Sequence, residues 1–266
     1  MRLPLMAALL VAVALPASAA DPIIEARRLY NLGQYEAAER LAREAASVAA
    51  TANTAQVVLG RIQLERYRRS ADPADLNGAR ASLRSVDSGD LDERDRVELM
   101  IGFAEALYLE DRFAAAAELF ESIFDRSAML GASAYERVLD WWATAVDRQA
   151  QRLPLAERIR LYGRIKDRMH AEVLDTPGSA AAGYWLAAAA RAAGDPNEAW
   201  NHATAGWLRA AFADDRGAAL RADLDRLVVQ AIIPERAARL SASGDVKLAQ
   251  TSMLTEWEAF KSAWSK

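Results

Sequence analysis

The sequence predicts an all-α fold, an α-solenoid of about six antiparallel helical hairpins stacked in chain order. Three observations carry that expectation. The apolar content, 52% of 266 residues, is rich in Ala, as in Phe113 to Ala117 and Leu186 to Ala190, while Val and Ile are sparse; this favours helices in close approach over strands. A turn grammar recurs in which one helix ends at Gly or Asp and the next opens with an Ala spaced to touch the first. Ala38, Ala79, Ala116, Ala156, Ala199 and Ala249 mark equivalent places roughly 40 residues apart, with a longer last interval, which suits helical-hairpin arrays.

In chain order the first element is an export signal. Met1-Arg2 gives a positive start, Leu3 to Leu15 an apolar run, and Pro16-Ala17-Ser18-Ala19-Ala20 a small-residue site before Asp21. Cleavage is expected after Ala19 or Ala20, leaving residues 21–266 as one helical repeat domain in the periplasm or medium. The run is interrupted by Pro4 and Pro16 and falls short of the about 20 residues a spanning helix needs, and no later stretch is apolar for long enough. No transmembrane helix is expected in the mature chain. With Cys 0, neither a lipid-anchor cysteine nor a disulfide framework nor a thiolate metal site is expected.

The grammar is clearest in three places. Ala26 to Ala45 holds Leu29-Tyr30-Asn31-Leu32-Gly33-Gln34-Tyr35, with Ala38 opening the second helix. Ala104 to Phe120 repeats it around Asp111, and Tyr184 to Trp200 around Gly194-Asp195-Pro196. Weaker copies run from Thr51 to Arg69, broken by Ser70-Ala71-Asp72-Pro73, and from Ala132 to Ala150, with Pro154 before the next helix. From about Asp214 the pattern is less regular. Ala218, Leu220, Leu224, Leu227, Val228 and Ala231 form one extra helical face, Pro234 is expected to break it, Leu240 to Ala249 is a faint last copy, and Trp257 to Trp264 an amphipathic cap.

These residues resemble the tetratricopeptide repeat family, whose Gly, aromatic and Ala at the helix-helix turn the strongest copies retain. The period exceeds that family's ~34 residues, so the chain looks like a degenerate member. The resemblance implies a right-handed superhelix whose first helices line a groove that holds a protein or peptide partner. On that pattern the groove positions are Arg27, Tyr30 and Asn31, then Glu105, Tyr108 and Leu109, then Tyr184, Ala188 and Arg191. Tyr and Arg are the types that dominate binding hot spots, and the same tyrosines would equally serve as packing between repeats; the sequence leaves both roles open.

The remaining features bound the function. Lys+Arg 33 against Asp+Glu 37 is spread in mixed-sign faces, so nucleic acid is not an expected partner. The densest basic cluster, Arg66, Arg68 and Arg69, ends a helical pattern, where cations offset the helix dipole. All of the Trp 7 lie beyond residue 140, which keeps open a ligand-binding role toward envelope polymers or saccharides, with Trp141 or Trp142 as the candidate exposed aromatic because adjacent residues cannot share one buried stripe. His 2, at His170 and His202, stand apart in sequence without metal-ligand spacing, and no nucleophile or phosphate-binding motif occurs. The expectation is an exported scaffold or adaptor with no cofactor, no metal and no catalytic residue.

Overall fold

The structure, a computed structural model, describes residues 21–213, 215–240 and 245–264. The expected signal segment, 1–20, and the turn of the faint last copy, 241–244, lie outside them. Every element among the described residues is helical and no strand occurs. Where the sequence reads one domain, the chain divides into two compact units between Asp90 and Leu91, inside the acidic, glycine-containing stretch that separates two helices.

The first unit contains α1 (Pro22–Asn31), α2 (Tyr35–Ala46), α3 (Ala52–Ser70) and α4 (Pro73–Arg84), each packed on the next. Asp21 and Asp72 cap α1 and α4 by accepting from the Ile23 and Ala74 amides at 3.0 and 2.9 Å, each ahead of a proline that loses no helical hydrogen bond there. Ala26, Ala38, Ala42 and Ala55 are fully buried where α1, α2 and α3 meet, so small side chains let the backbones approach. Gly60 does the same for α4: a Cβ there would stand 2.7 Å from the Leu83 side chain. The basic cluster is absorbed locally. Arg66 pairs with Glu39 and Asp75 at 3.0 and 3.2 Å, Arg68 with Glu65 at 2.8 Å, and Arg69 lies 4.4 Å over the Tyr35 ring.

The second unit runs through α5 (Glu93–Leu109), α6 (Phe113–Glu121), the short α7 (Phe124–Ser127), α8 (Ala132–Ala150), α9 (Leu155–Asp175), α10 (Ala180–Ala192) and α11 (Pro196–Arg209). After a 3₁₀ turn come α12 (Ala218–Leu227), a π-helical turn over Val228–Ile232, α13 (Ile233–Leu240) and α14 (Val246–Trp264). One core joins α5 to α10 around Phe120, Leu139, Trp142 and Ile165; a second joins α10 to α14 around Trp200, Leu224 and Trp257. The Ala-rich α10 contributes to both, because its small side chains allow neighbours on opposite sides.

Three turns have the same construction. Gly33, Asp111 and Gly194 take positive φ of 72°, 61° and 93°. In each, the following amide (Gln34, Arg112, Asp195) donates to a carbonyl five residues back (Leu29, Leu107, Ala190) at 2.9 Å, which closes the helix end and reverses the chain. The fully buried Ala38, Ala116 and Ala199 then make the matching first helical bond at 3.0 Å. Two other markers differ. Ala156 is exposed, because α9 buries the stripe Leu161, Ile165 and Met169 and leaves its first turn outside; Ala249 is only half-buried.

Pro234 does not break the chain into separate helices, as the sequence reading expects. Residues 218–240 stay helical because the turn before the proline widens to π geometry. Proline removes the amide that would bond the carbonyl four residues back and crowds that carbonyl with its ring; a wider turn accommodates both effects.

Candidate functional site

The residues at the −3 position of the three matched turns form inter-helix seams. Tyr30 lies under the Arg61 guanidinium of α3 at 4.9 Å. Tyr108 meets Trp141 of α8 edge-on at 4.8 Å and Phe113 at 5.2 Å. Arg191 donates to Glu235 of α13 at 2.6 and 2.9 Å. In each case one partner, Arg61, Trp141 or Glu235, belongs to a helix beyond the turn's own pair, so these positions share contacts between neighbouring helices. Of the other groove positions, Arg27, Leu109 and Ala188 are half-buried, Asn31 is exposed and Glu105 is buried.

Tyr184 is the predicted groove residue that opens onto the larger cleft, a space of about 640 Å³ within the second unit. α8 supplies Ser133, Glu136, Arg137 and Asp140 to one wall; α10 supplies Ala180, Ala181 and Tyr184; α12 and the π turn supply Asp223, Arg226 and Gln230 with the apolar Leu220, Leu227 and Ala231. Glycines set the spacing. A Cβ on Gly183 would come within 2.9 Å of Leu220 Cδ2, and one on Gly206 within 3.1 Å of Leu224 Cδ1, so the bare positions let α12 pack closely on α10 and α11. Glu136 accepts from the Ala181 amide at 3.0 Å and Asp140 from the Trp185 indole at 2.8 Å, which ties α8 to α10.

Tyr184 lies edge-to-face with Trp185 at 5.5 Å, and its hydroxyl has no hydrogen-bond partner among the described residues. Burial raises its pKa, and the carboxylates Asp223, Asp140 and Asp147 raise it further against the opposing Arg191. A smaller recess of about 350 Å³ lies beside Tyr108, Leu109 and Arg148.

Other titratable side chains are tied into helix packing. The Tyr135 hydroxyl donates to Glu172 at 2.6 Å and accepts from Arg168, and burial first, then that carboxylate, push its pKa to about 12. Tyr162 donates to Asp147 at 2.8 Å. His170 and His202, distant in sequence, meet edge-to-face at 5.1 Å between α9 and α11, and burial lowers the His202 pKa against the pull of Glu198. Asp223 pairs with Arg226 at 3.0 Å, as a solvated face would, but Asp225 turns inward to the Trp257 indole and Lys261 ammonium of α14 at 2.8 and 2.6 Å. Among the described residues no group of three or more His, Cys, Asp or Glu is arranged to hold a metal ion, and no helix is long and apolar enough to cross a membrane.

The paired tryptophans do not provide an exposed aromatic. Trp142 is fully buried against Phe124, and Trp141 is half-buried between Tyr108 and Phe120. Their adjacency directs them to different neighbours, and α8 is covered where each of them points. Trp185, Trp200, Trp207 and Trp257 are core residues, while Trp264 is exposed. Sequence reasoning passed over the α8 and α12 walls. The available signal was a proline inside an otherwise helical pattern, which marks the π turn beside the cleft.

The described residues define an all-helical protein whose consecutive helices pack on one another, with an open cleft in its second unit. Comparison with protein-family models, with curated proteins and with solved structures returns no match.

Proposed function

We propose that this protein is an exported, non-catalytic scaffold of the cell envelope that captures a peptide segment of a partner protein in the cleft of a degenerate, tetratricopeptide-like array of about six hairpins. The observation that carries the reading is the cleft itself: α8 and α10, the first helices of two successive pairs, line it together with α12, as a groove on the first-helix face of such an array would be lined. The repeated turns at Gly33, Asp111 and Gly194 support the array. The π turn supports the site, since such turns occur frequently where function is. A saccharide-stacking role is less favoured, because Tyr184 is the cleft's aromatic and the indoles, Trp264 apart, are engaged in packing.

The test is a photo-crosslinking residue in place of Gln230, which is exposed at the cleft wall, in the native cell, followed by mass spectrometry. A crosslinked polypeptide is expected at Gln230 and none at exposed Asn77 of α4. Equal labelling at both positions, or none at Gln230, would sink the cleft reading.

A further inference from the structure

We infer that the cleft selects a basic side chain, lysine or arginine, of the captured segment and seats it on the Tyr184 ring between Asp140 and Asp223. This rests on the peptide-capture reading above and adds its chemistry.

Two independent features point to a cation. The first is a packing habit of the chain, which covers aromatic rings with cations. Arg61 lies over Tyr30 at 4.9 Å, Arg152 over Phe113 at 4.6 Å, Arg168 over Phe124 at 4.4 Å and Arg236 over Trp200 at 4.8 Å. Tyr184 lines the open cleft, makes a T-shaped contact with Trp185 at 5.5 Å, and has no cation over its ring among the described residues. A ligand cation would occupy the position that the chain's own arginines take at the other rings.

The second feature is charge. The carboxylates of Asp140 and Asp223 line the cleft beside Tyr184, and Arg191, the cation that opposes them there, is itself engaged by Glu235 at 2.6 Å. The arginines lining the cleft do not reverse this. Arg137 is exposed, and Arg226 is held by Asp223 at 3.0 Å with its side chain 63% exposed. Glu136 adds a further carboxylate, spent on the α10 amide. A basic side chain entering from solvent would meet an aromatic face and the two lining carboxylates, while apolar Leu220 and Ala231 accept the residues on either side of it.

The experiment is fluorescence anisotropy of labelled alanine-rich hexapeptides, with lysine, arginine, norleucine or glutamate at the third position, against the full chain. The lysine and arginine peptides are expected to bind at least about tenfold more tightly than the other two, with the margin shrinking as salt is raised. The Asp140→Asn, Asp223→Asn double variant should lose most of that margin; asparagine retains an acceptor for Trp185, and circular dichroism checks that the helices remain. Equal affinity for all four peptides, preference for glutamate, or a margin unchanged in the double variant would each overturn the inference while leaving peptide capture in place. A polypeptide crosslinked at Gln230 with no basic residue in its attached segment would overturn it in the same way. Absence of any crosslinked polypeptide removes the underlying reading instead.

Discussion

The three matched turns and the stretch from Ala210 to Leu240 reverse or carry the chain by different means. At Gly33, Asp111 and Gly194 the hydrogen bonds close within six residues, and a Cβ at Gly33 would meet nothing within 4 Å. At Gly217 a Cβ would stand 2.3 Å from the Ala210 carbonyl oxygen, and further along Leu220, Leu224 and Asp225 are placed by Gly183, Gly206 and α14. One region is fixed by its own sequence, the other by what it packs against. Replacing glycine in each separates the two. Gly217→Ala, with φ of +74° and a backbone clash, should lower stability by about 3 kcal/mol or more, whereas Gly33→Ala should lose only about 0.5 kcal/mol, because the left-handed backbone cost of about 1 kcal/mol is partly offset by the unfolded-chain entropy that alanine removes. Urea denaturation midpoints measure both, and comparable losses would remove the distinction.

The seams give a second, smaller effect. Tyr108→Ala should reduce stability by about 2–3 kcal/mol, since a half-buried ring loses contacts with both Phe113 and Trp141. The coupling of Tyr108 to Trp141 in a double-mutant cycle should come to about 0.5–1.5 kcal/mol, the range of an edge-to-face aromatic pair. If Tyr108→Ala left the denaturation midpoint in place, this position would be a free binding surface, as the family resemblance suggests, and not a seam.

That contrast explains what could be read from the residues alone. Helix existence, the Asp21 and Asp72 caps, the three turns and the burial of Ala38, Ala116 and Ala199 follow from short-range chemistry, and the sequence displays it. The cleft was only partly legible. Tyr184 stood out as an aromatic on a first helix, but Asp140 and Asp223 are 83 residues apart and line one cleft only through the packing of α8 and α12 about α10. Asp225 looked like its neighbour Asp223 in sequence, yet one bonds Trp257 of α14 and the other lines the open cleft beside Arg226, a difference decided by which side of α12 meets α14. His170 and His202 carried no spacing signal because their meeting depends on how α9 and α11 cross α10.

The smallest expected effect has the opposite sign. Ala71 ends α3 with φ of 55°, ψ of 24° and its amide on the Tyr67 carbonyl at 2.8 Å, the left-handed conformation that the Gly33 and Gly194 turns assign to glycine. Its Cβ opposes that conformation by about 1 kcal/mol, while glycine would add unfolded-chain entropy of about 0.4–1 kcal/mol. Ala71→Gly should therefore leave stability unchanged or raise it by about 0.5 kcal/mol, and Asp111→Gly should gain less, because Asp tolerates the left-handed region better than Ala and Asp111 lies 3.7 Å from Arg152. The order of the two denaturation midpoints is the readout. A clear loss at Ala71 would mean that its methyl group packs in the turn and that this fourth reversal, unlike the other three, is not governed by backbone conformation alone.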